Sequence, residues 1–186
     1  MSNDASGANA RPAGADAGPL GYLALGLTLL AYGLLGTGVL SGTSSGGAAS
    51  LAHLVGGLTL FLAGLWQFRG GDRFSATAFT SLGAFWATWS AAEAGSKNTA
   101  GVFLLLWALL ALTLTAAGWG GGLLSRAVYG LLTVSLLLSA VATFNDSSGL
   151  GKLAGWVAAA SGLAAWYWAT ASLTDGRWGR VALPVK

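Results

Sequence analysis

The sequence predicts an all-α integral membrane protein, a bundle of six transmembrane helices. Three observations carry this prediction. Of the 186 residues, 54% are hydrophobic and 8% are charged, whereas an ordinary soluble domain has about 25% charged residues. The apolar residues form six long segments, each near the roughly 20 residues that a helix needs to cross a bilayer. The basic residues, finally, collect on one side of these segments, which sets the orientation of the bundle.

The six apolar segments follow one another with short connections between them. They are predicted at residues 20–40, 49–68, 74–93, 100–119, 124–144 and 150–173. The connections are rich in Gly, Ser, Asn and Asp, which are typical of turns. Residues 1–18 are small and polar, so we expect a disordered cytoplasmic tail there. Residues 19–174 are then the six-helix transmembrane domain, and residues 175–186 are a cytoplasmic C-terminal tail.

The basic residues are divided unequally between the two sides of the predicted bundle. The side that holds both termini carries Arg11, Arg69, Arg73, Arg126, Arg177, Arg180 and Lys186. The other side carries only Lys97 and Lys152. Because cytoplasmic loops are enriched in Lys and Arg, both termini are predicted to lie in the cytoplasm. The net charge of +3 therefore belongs to loops and tails, and a nucleic-acid partner is not expected.

The third segment has a small, weakly polar face and a bulky face. With about 100° of rotation per residue, the first face consists of Thr77, Ser81, Ala84 and Thr88. The opposite flank consists of Leu82, Phe85, Trp86 and Trp89. Small hydroxyl residues let membrane helices approach closely, so this segment is predicted to be an interior helix. Its hydroxyl face is either a polar lining or a packing seam.

Ionisable residues avoid the middle of every predicted segment. The acidic residues are Asp4, Asp16, Asp72, Glu93, Asp146 and Asp175. Glu93, His53 and Gln67 lie near segment ends, where they are candidates for vestibules, although a solvated helix end would have the same residues. The sequence has no cysteine and no nucleophile beside a base. Neither an enzyme nor a metal or cofactor site is therefore expected.

A charge-free interior limits what can cross the bundle. A bare carboxylate would lose its hydration there with no cation to replace it, at a cost of many kcal/mol. The solute must therefore be neutral, be neutralised in transit, or be held by dipoles. Gly18, Pro19, Leu20 and Gly21 have the proline-first pattern of a helix N-terminus that can meet an anion. An ordinary helix start has the same pattern.

Several motifs together resemble the acetate uptake transporter family, also called the succinate-acetate permease family. Gly18-Pro19-Leu20-Gly21 is similar to the end of its N-terminal NPAPLGL signature. Four further stretches are similar to its second helix, third helix and C-terminal ending: Ala63-Gly64-Leu65-Trp66, Thr77-Ala78-Phe79-Thr80-Ser81, Gly83-Ala84-Phe85-Trp86, and Gly179-Arg180 with Leu183-Pro184. The resemblance covers nearly all of the chain after the tail.

The resemblance implies a homo-hexamer of six-helix protomers, each with its own path for short monocarboxylates. It implies acetate above all, with succinate in some members, and proton-linked or channel-like movement through a hydrophobic constriction. The constriction falls on Leu25, Leu82 and Leu132, and Ala165 matches a small residue that tunes selectivity. The matched motifs add further candidates for substrate binding or the path, namely Pro19, Leu20, Gly21, Thr80, Ser81, Phe85 and Thr133.

This chain departs from the family pattern at several of the matched positions. Asp16-Ala17-Gly18 replaces the Asn-Pro-Ala of the signature, and Gly71-Asp72-Arg73-Phe74 replaces GNTF. Three single replacements are Gln67 for a glutamate, Leu60 for a glutamine and Leu82 for the constriction tyrosine. Because Leu82 has no phenolic hydroxyl, we expect a more apolar gate of three leucines with altered selectivity or rate.

The sequence therefore predicts a multi-pass protein of the cell (inner or plasma) membrane that transports short monocarboxylic acids with protons. No protein group that titrates is needed at the centre if the acid crosses in protonated form. One alternative is a channel for neutral solutes such as urea or short amides. A second alternative is a membrane scaffold that transports nothing. Solute flux separates these possibilities.

Overall fold

The computed structural model describes residues 16–39 and 52–178, without the side chains of His53 and of residues 175–178. The described residues form six α-helices, a π-helical segment and a short 3-10 turn, and no strand. The α-helices are α1 (Gly18–Gly36), α2 (Leu60–Gly70), α3 (Arg73–Glu93), α4 (Lys97–Ala117), α5 (Leu123–Phe144) and α6 (Ser148–Trp178). The π-helical segment Ala52–Thr59 leads directly into α2, and the 3-10 turn Trp119–Gly121 joins α4 to α5.

The predicted all-helical fold is confirmed, and each apolar segment of the sequence coincides with helix. By length and composition, three of the described helices are apolar enough to cross a membrane: α1, α4 and α5. The other three helices do not meet this criterion of length and composition, and the reason is visible in each case. The second segment is divided into π- and α-helical parts, α3 carries its row of hydroxyls, and α6 continues to Trp178 into more polar sequence. The six membrane crossings remain a prediction.

The connections between helices are closed by local hydrogen bonds. Gly71 ends α2 with a φ of 85°, a left-handed conformation that glycine adopts without strain. The Asp72 carboxylate then caps α3 by accepting a bond of 3.1 Å from the Ser75 N–H. Ser96 caps α4 in the same way through the Thr99 N–H. These caps fix the ends of the helices within turns of a few residues.

Helices α1 and α6 pack backbone to backbone along facing glycines. A Cβ added at Gly26 would lie 2.8 Å from the Trp166 nitrogen, and one added at Gly33 would lie 2.6 Å from the Ala159 nitrogen. Both positions therefore require glycine. Such close approach through small residues is the usual way in which membrane helices associate. The α1–α6 pair consequently forms one wall of the bundle, with the most extensive contact between any two described helices.

Helix α3 lies with its bulky flank inward. Leu82, Phe85 and Trp86 are buried, whereas Thr77 and Thr88 are exposed on the outside of the protomer. The two threonine hydroxyls donate to carbonyl oxygens four residues earlier in the helix. The hydroxyl face is therefore satisfied by its own backbone and points away from the protomer interior.

Candidate functional site

Two cavities lie at opposite ends of the bundle. The proximal cavity, at the end where α1 begins, has a volume of about 430 Å³. The distal cavity, at the end where α1 finishes, has a volume of about 390 Å³. Each is large enough for a small organic molecule with several waters. Six α-helices contribute to the proximal cavity, and five α-helices and the π-helical segment contribute to the distal cavity. Both cavities are therefore features of the whole bundle rather than of one helix pair.

A buried apolar layer separates the two cavities. It consists of Leu25 of α1, Leu82 of α3, Leu132 of α5 and Ala165 of α6, and each is at most 3% exposed. Their positions along the helices show the level at which they lie. On α1, Tyr22 lines the proximal cavity and Tyr32 lines the distal cavity, with Leu25 between them. The same order holds on the other three helices, so each of the four residues lies at a level between the two cavities.

A second layer, rich in aromatic rings, lies next to the apolar layer on its proximal side. We call it the aromatic layer, and its members are Tyr22, Phe79, Tyr129 and Trp168. The Tyr22 ring meets the Phe79 ring edge to face at 5.0 Å and stacks on the Trp168 ring at 4.1 Å. The Tyr129 hydroxyl donates to the Tyr22 hydroxyl over 3.4 Å. The Tyr22 and Trp168 rings of this layer therefore line the proximal cavity, and Phe79 and Tyr129 are buried next to them.

The mouth of the proximal cavity contains a carboxylate held by two donors. Asp16 Oδ1 accepts bonds of 2.8 Å from the Gly18 N–H and 2.9 Å from Gln67 Nε2. Gln67 is only 5% exposed and lines this cavity with Asp16, Pro19 and Asp72. The N-terminus of α1, predicted from its sequence as an anion site, is thus occupied by a carboxylate of the chain itself.

The distal cavity has a different lining. Tyr32, Trp86 and Trp89 form an aromatic wall, and the exposed Glu93 stands at its edge. The opposite wall is made of small residues of α6, including Gly151, Ala154, Gly155 and Ala158. The indole N–H of Trp89 is buried and has no hydrogen-bond partner. A polar solute in this cavity would therefore find an unused donor.

The remaining sequence candidates lie outside the two cavity linings. Leu20 is 51% exposed on the protomer surface, and Gly21 is buried against the Phe79 ring. The Thr80 hydroxyl oxygen is buried beside Gly64 without a partner, and the Ser81 hydroxyl donates to the Thr77 carbonyl. The two other candidates, Phe85 and Thr133, are buried inside the protomer.

Phe85 and Thr133 are these two interior candidates. Phe85 is buried in a cluster with Trp86, Trp89 and Phe103. The Thr133 hydroxyl donates to the Tyr129 carbonyl over 2.8 Å and lies 3.1 Å from the Thr115 hydroxyl, so it joins α5 to α4. The side chain of His53, the last vestibule candidate, lies outside the described residues.

Sequence reasoning did not single out the hydroxyls of Tyr22 and Tyr129 or the N–H of Trp89. The two tyrosines could have been found from their distance in sequence to the leucines of the apolar layer. Each tyrosine precedes a leucine of the apolar layer, Leu25 or Leu132, by three residues, which places it on the same helix face one turn away. Trp89 was visible only as part of a bulky flank. Among residues 16–39 and 52–178, no three His, Cys, Asp or Glu side chains gather as a metal site requires.

These features define a class of protein, a helical membrane protein with a solute-sized cavity at each end and a closed apolar layer between them. The chain belongs to the GPR1/FUN34/yaaH family, whose profile matches residues 5–185. This finding confirms the resemblance to acetate uptake transporters that the sequence motifs predicted.

Several relatives are named for their transport activities. The succinate-acetate/proton symporter SatP of Escherichia coli (strain K12) is 28% identical over 92% of this chain and 95% of its own length. Acetate permease A of Emericella nidulans is 27% identical over 92% of this chain and 65% of its own length. A solved structure of the bacterial acetate channel SatP superposes with a TM-score of 0.86 at 28% identity, covering 92% of this chain and 99% of the other. The fold is therefore that of this channel.

Proposed function

We propose that this protein carries acetate and other short monocarboxylic acids across the cell membrane, with succinate as a further substrate. The observation that supports this proposal is the charge-free apolar layer between two solute-sized cavities. Leu25, Leu82, Leu132 and Ala165 belong to four different helices, so small movements of those helices would open the layer. The names of the relatives supply the solute class, because they include a succinate-acetate/proton symporter and an acetate permease.

The acid crosses the apolar layer in its protonated form. An ionised carboxylate would exchange water for leucine side chains, which costs far more than a transporter can recover in one step. No ionisable side chain belongs to the apolar layer, so the solute must bring its own proton. Transport is therefore linked to protons through the solute and not through a titrating residue at the centre.

The assembly and orientation extend this proposal. We expect six membrane crossings, both termini in the cytoplasm and a homo-hexamer in which each protomer has its own path. Helix α4 supports a partner or lipid on its outer side, since Leu105, Leu106, Leu109 and Leu112 are between 38% and 62% exposed there. A row of exposed leucines of this kind is stable only against lipid tails or another subunit.

The test is uptake of labelled acetate into proteoliposomes that contain the purified protein. At fixed total acetate, we expect uptake to saturate and to increase as the external pH falls. At pH values above the pKa of the acid, the protonated fraction rises about tenfold for each unit by which the pH is lowered. Protein-free liposomes measure the passive permeation of the acid. Acetate flux equal to that of empty liposomes would refute the transport of acids.

Two further arms of this assay address the remaining predictions. At fixed acetate anion concentration, an equal rate at every pH would refute the proton linkage alone. Urea flux in place of acetate flux would favour the neutral-solute channel, which the same apolar layer could serve because it contains no charge. No flux of either solute would favour the scaffold.

A further inference from the structure

The aromatic layer lies between the proximal cavity and the apolar layer. Tyr22, Phe79 and Tyr129 each precede a residue of the apolar layer by three positions, and Trp168 follows Ala165 by three. Because α6 runs opposite to α1, α3 and α5, all four side chains lie on the proximal side. With a rise of about 1.5 Å per residue, the two layers are about 4.5 Å apart along the bundle.

The two tyrosine hydroxyls in this layer are held in place by ring packing and not by a strong mutual bond. Their oxygens are 3.4 Å apart, whereas a good O–H···O bond is about 2.7 Å long. Tyr129 is fully buried with Phe74 against its ring at 5.4 Å, and Tyr22 is fixed between Phe79 and Trp168. Rigid hydroxyls that bond poorly to each other are available to a better partner.

We propose that the hydroxyls of Tyr22 and Tyr129 bind the carboxyl group of the undissociated acid immediately before it enters the apolar layer. This inference rests on the proposed transport of short acids. A protonated carboxyl group has one donor and one acceptor, and a pair of phenols offers both partners. One tyrosine donates to the carbonyl oxygen while the other accepts from the acid O–H. The alkyl part lies beside Trp168, which lines the same cavity as Tyr22.

The charges around this cavity favour the neutral acid over its anion. Asp16 and Asp72 are the ionisable groups of the proximal lining besides Tyr22, and the described lining contains no Lys or Arg. A carboxylate would therefore meet two acidic side chains and no cation. The apolar layer has no hydrogen-bonding side chain, because Leu82 stands where the family resemblance has a tyrosine. The hydroxyl pair thus supplies, one helical turn earlier, the polar contact that the gate itself lacks.

The experiment compares Y22F, Y129F and the double variant with the wild type. Phenylalanine keeps the ring and removes only the oxygen, and Y167F is the matched control because Tyr167 of α6 is partly exposed and lines neither cavity. We expect the half-saturation concentration for acetate uptake to rise about fivefold in each single variant and more in the double variant, as the loss of a net hydrogen bond predicts. Y167F should stay within twofold of the wild type.

A binding measurement on the solubilised protein makes the test independent of transport. Saturation-transfer NMR with acetate should give a signal in the wild type and Y167F that falls in the double variant, while size-exclusion chromatography and thermal unfolding confirm that the variants are folded. Tyrosine-dependent binding without flux would support the site and refute the proposed transport. A double variant with wild-type half-saturation and wild-type binding would refute the site and leave transport standing.

Discussion

The proximal and distal cavities are similar in volume but differ in how their polar groups are used. In the proximal cavity, the Asp16 carboxylate is bound by Gly18 and Gln67, and the Asp72 carboxylate by Ser75. In the distal cavity, the Trp89 N–H has no partner. The proximal cavity therefore contains two carboxylates that are bound by the protein, whereas the distal cavity contains an indole N–H with no partner among the described residues. The two ends of the bundle are not equivalent for a solute.

A substitution in the α1–α6 wall, which both cavities share, should have the largest effect on the stability of the bundle. Gly33→Ala should destabilise the bundle by about 1–3 kcal/mol or more, since the new Cβ would lie 2.6 Å from two backbone atoms of α6. Gly36→Ala is the control, because its Cβ would meet Gly155 at an ordinary 3.7 Å. Thermal unfolding in detergent measures both. Equal stability of the two variants would show that α1 and α6 can separate at low cost.

A substitution in the apolar layer should have the next largest effect, on the selectivity of transport. Leu82→Tyr adds a hydroxyl to the layer between the cavities and narrows it, so we expect the ratio of acetate to propionate or butyrate flux to change by roughly threefold to tenfold. Competitive uptake into proteoliposomes measures these ratios. Leu20→Tyr is a control on the exposed surface of the same protomer. Unchanged ratios in Leu82→Tyr would argue against a selective role for the layer.

The hydrogen bond between Gln67 and Asp16 at the proximal mouth gives a third test. Gln67→Glu would place a second carboxylate against Asp16 in place of the bond of 2.9 Å, so we expect a loss of about 1 kcal/mol in the free energy of unfolding. The double variant D16N/Q67E exchanges donor and acceptor and should recover most of that loss. A double-mutant cycle on unfolding temperatures measures the coupling. Additive effects would show that the two side chains do not interact.

The unpaired donor of the distal cavity gives the smallest effect. Trp89→Phe removes the indole N–H and keeps an aromatic ring beside Phe85 and Phe103. Because the N–H has no partner among the described residues, the lost ring volume is the main cost, and we expect a change of about 1 kcal/mol or less. The unfolding temperature measures it. A much larger loss would mean that the N–H is bonded.

Much of the fold could be predicted from the sequence, because a membrane helix is recognised by the local composition of its segment. The apolar segments and the turn residues between them coincide with the observed helices to within a few residues over most of the described chain. The division of the second segment at Leu60 was not predicted, since a π-helical start has no periodicity that an apolar sequence displays. The hydroxyl face of α3 had two possible orientations, and only the packed bundle placed Thr77 and Thr88 outside.

The site was predictable to a lesser extent. The family resemblance placed the constriction on Leu25, Leu82, Leu132 and Ala165, and each of them is buried on its helix between residues of the two cavities. Their role as a constriction remains a prediction. It gave no reason to choose Tyr22 or Tyr129, because their hydroxyls meet only when α1 and α5 pack against each other across 107 residues of sequence. The Asp16–Gln67 bond likewise joins residues 51 positions apart.

The sequence by itself determined the membrane class, the helices and the family, since hydrophobicity, turn residues and short motifs are local properties of the chain. Only the tertiary structure decided which side chains share a cavity, which layer closes it and which polar groups remain free. The physical reason is that these properties depend on distances between different helices. Such distances are set by contacts such as Gly33 against Ala159, which no single segment contains.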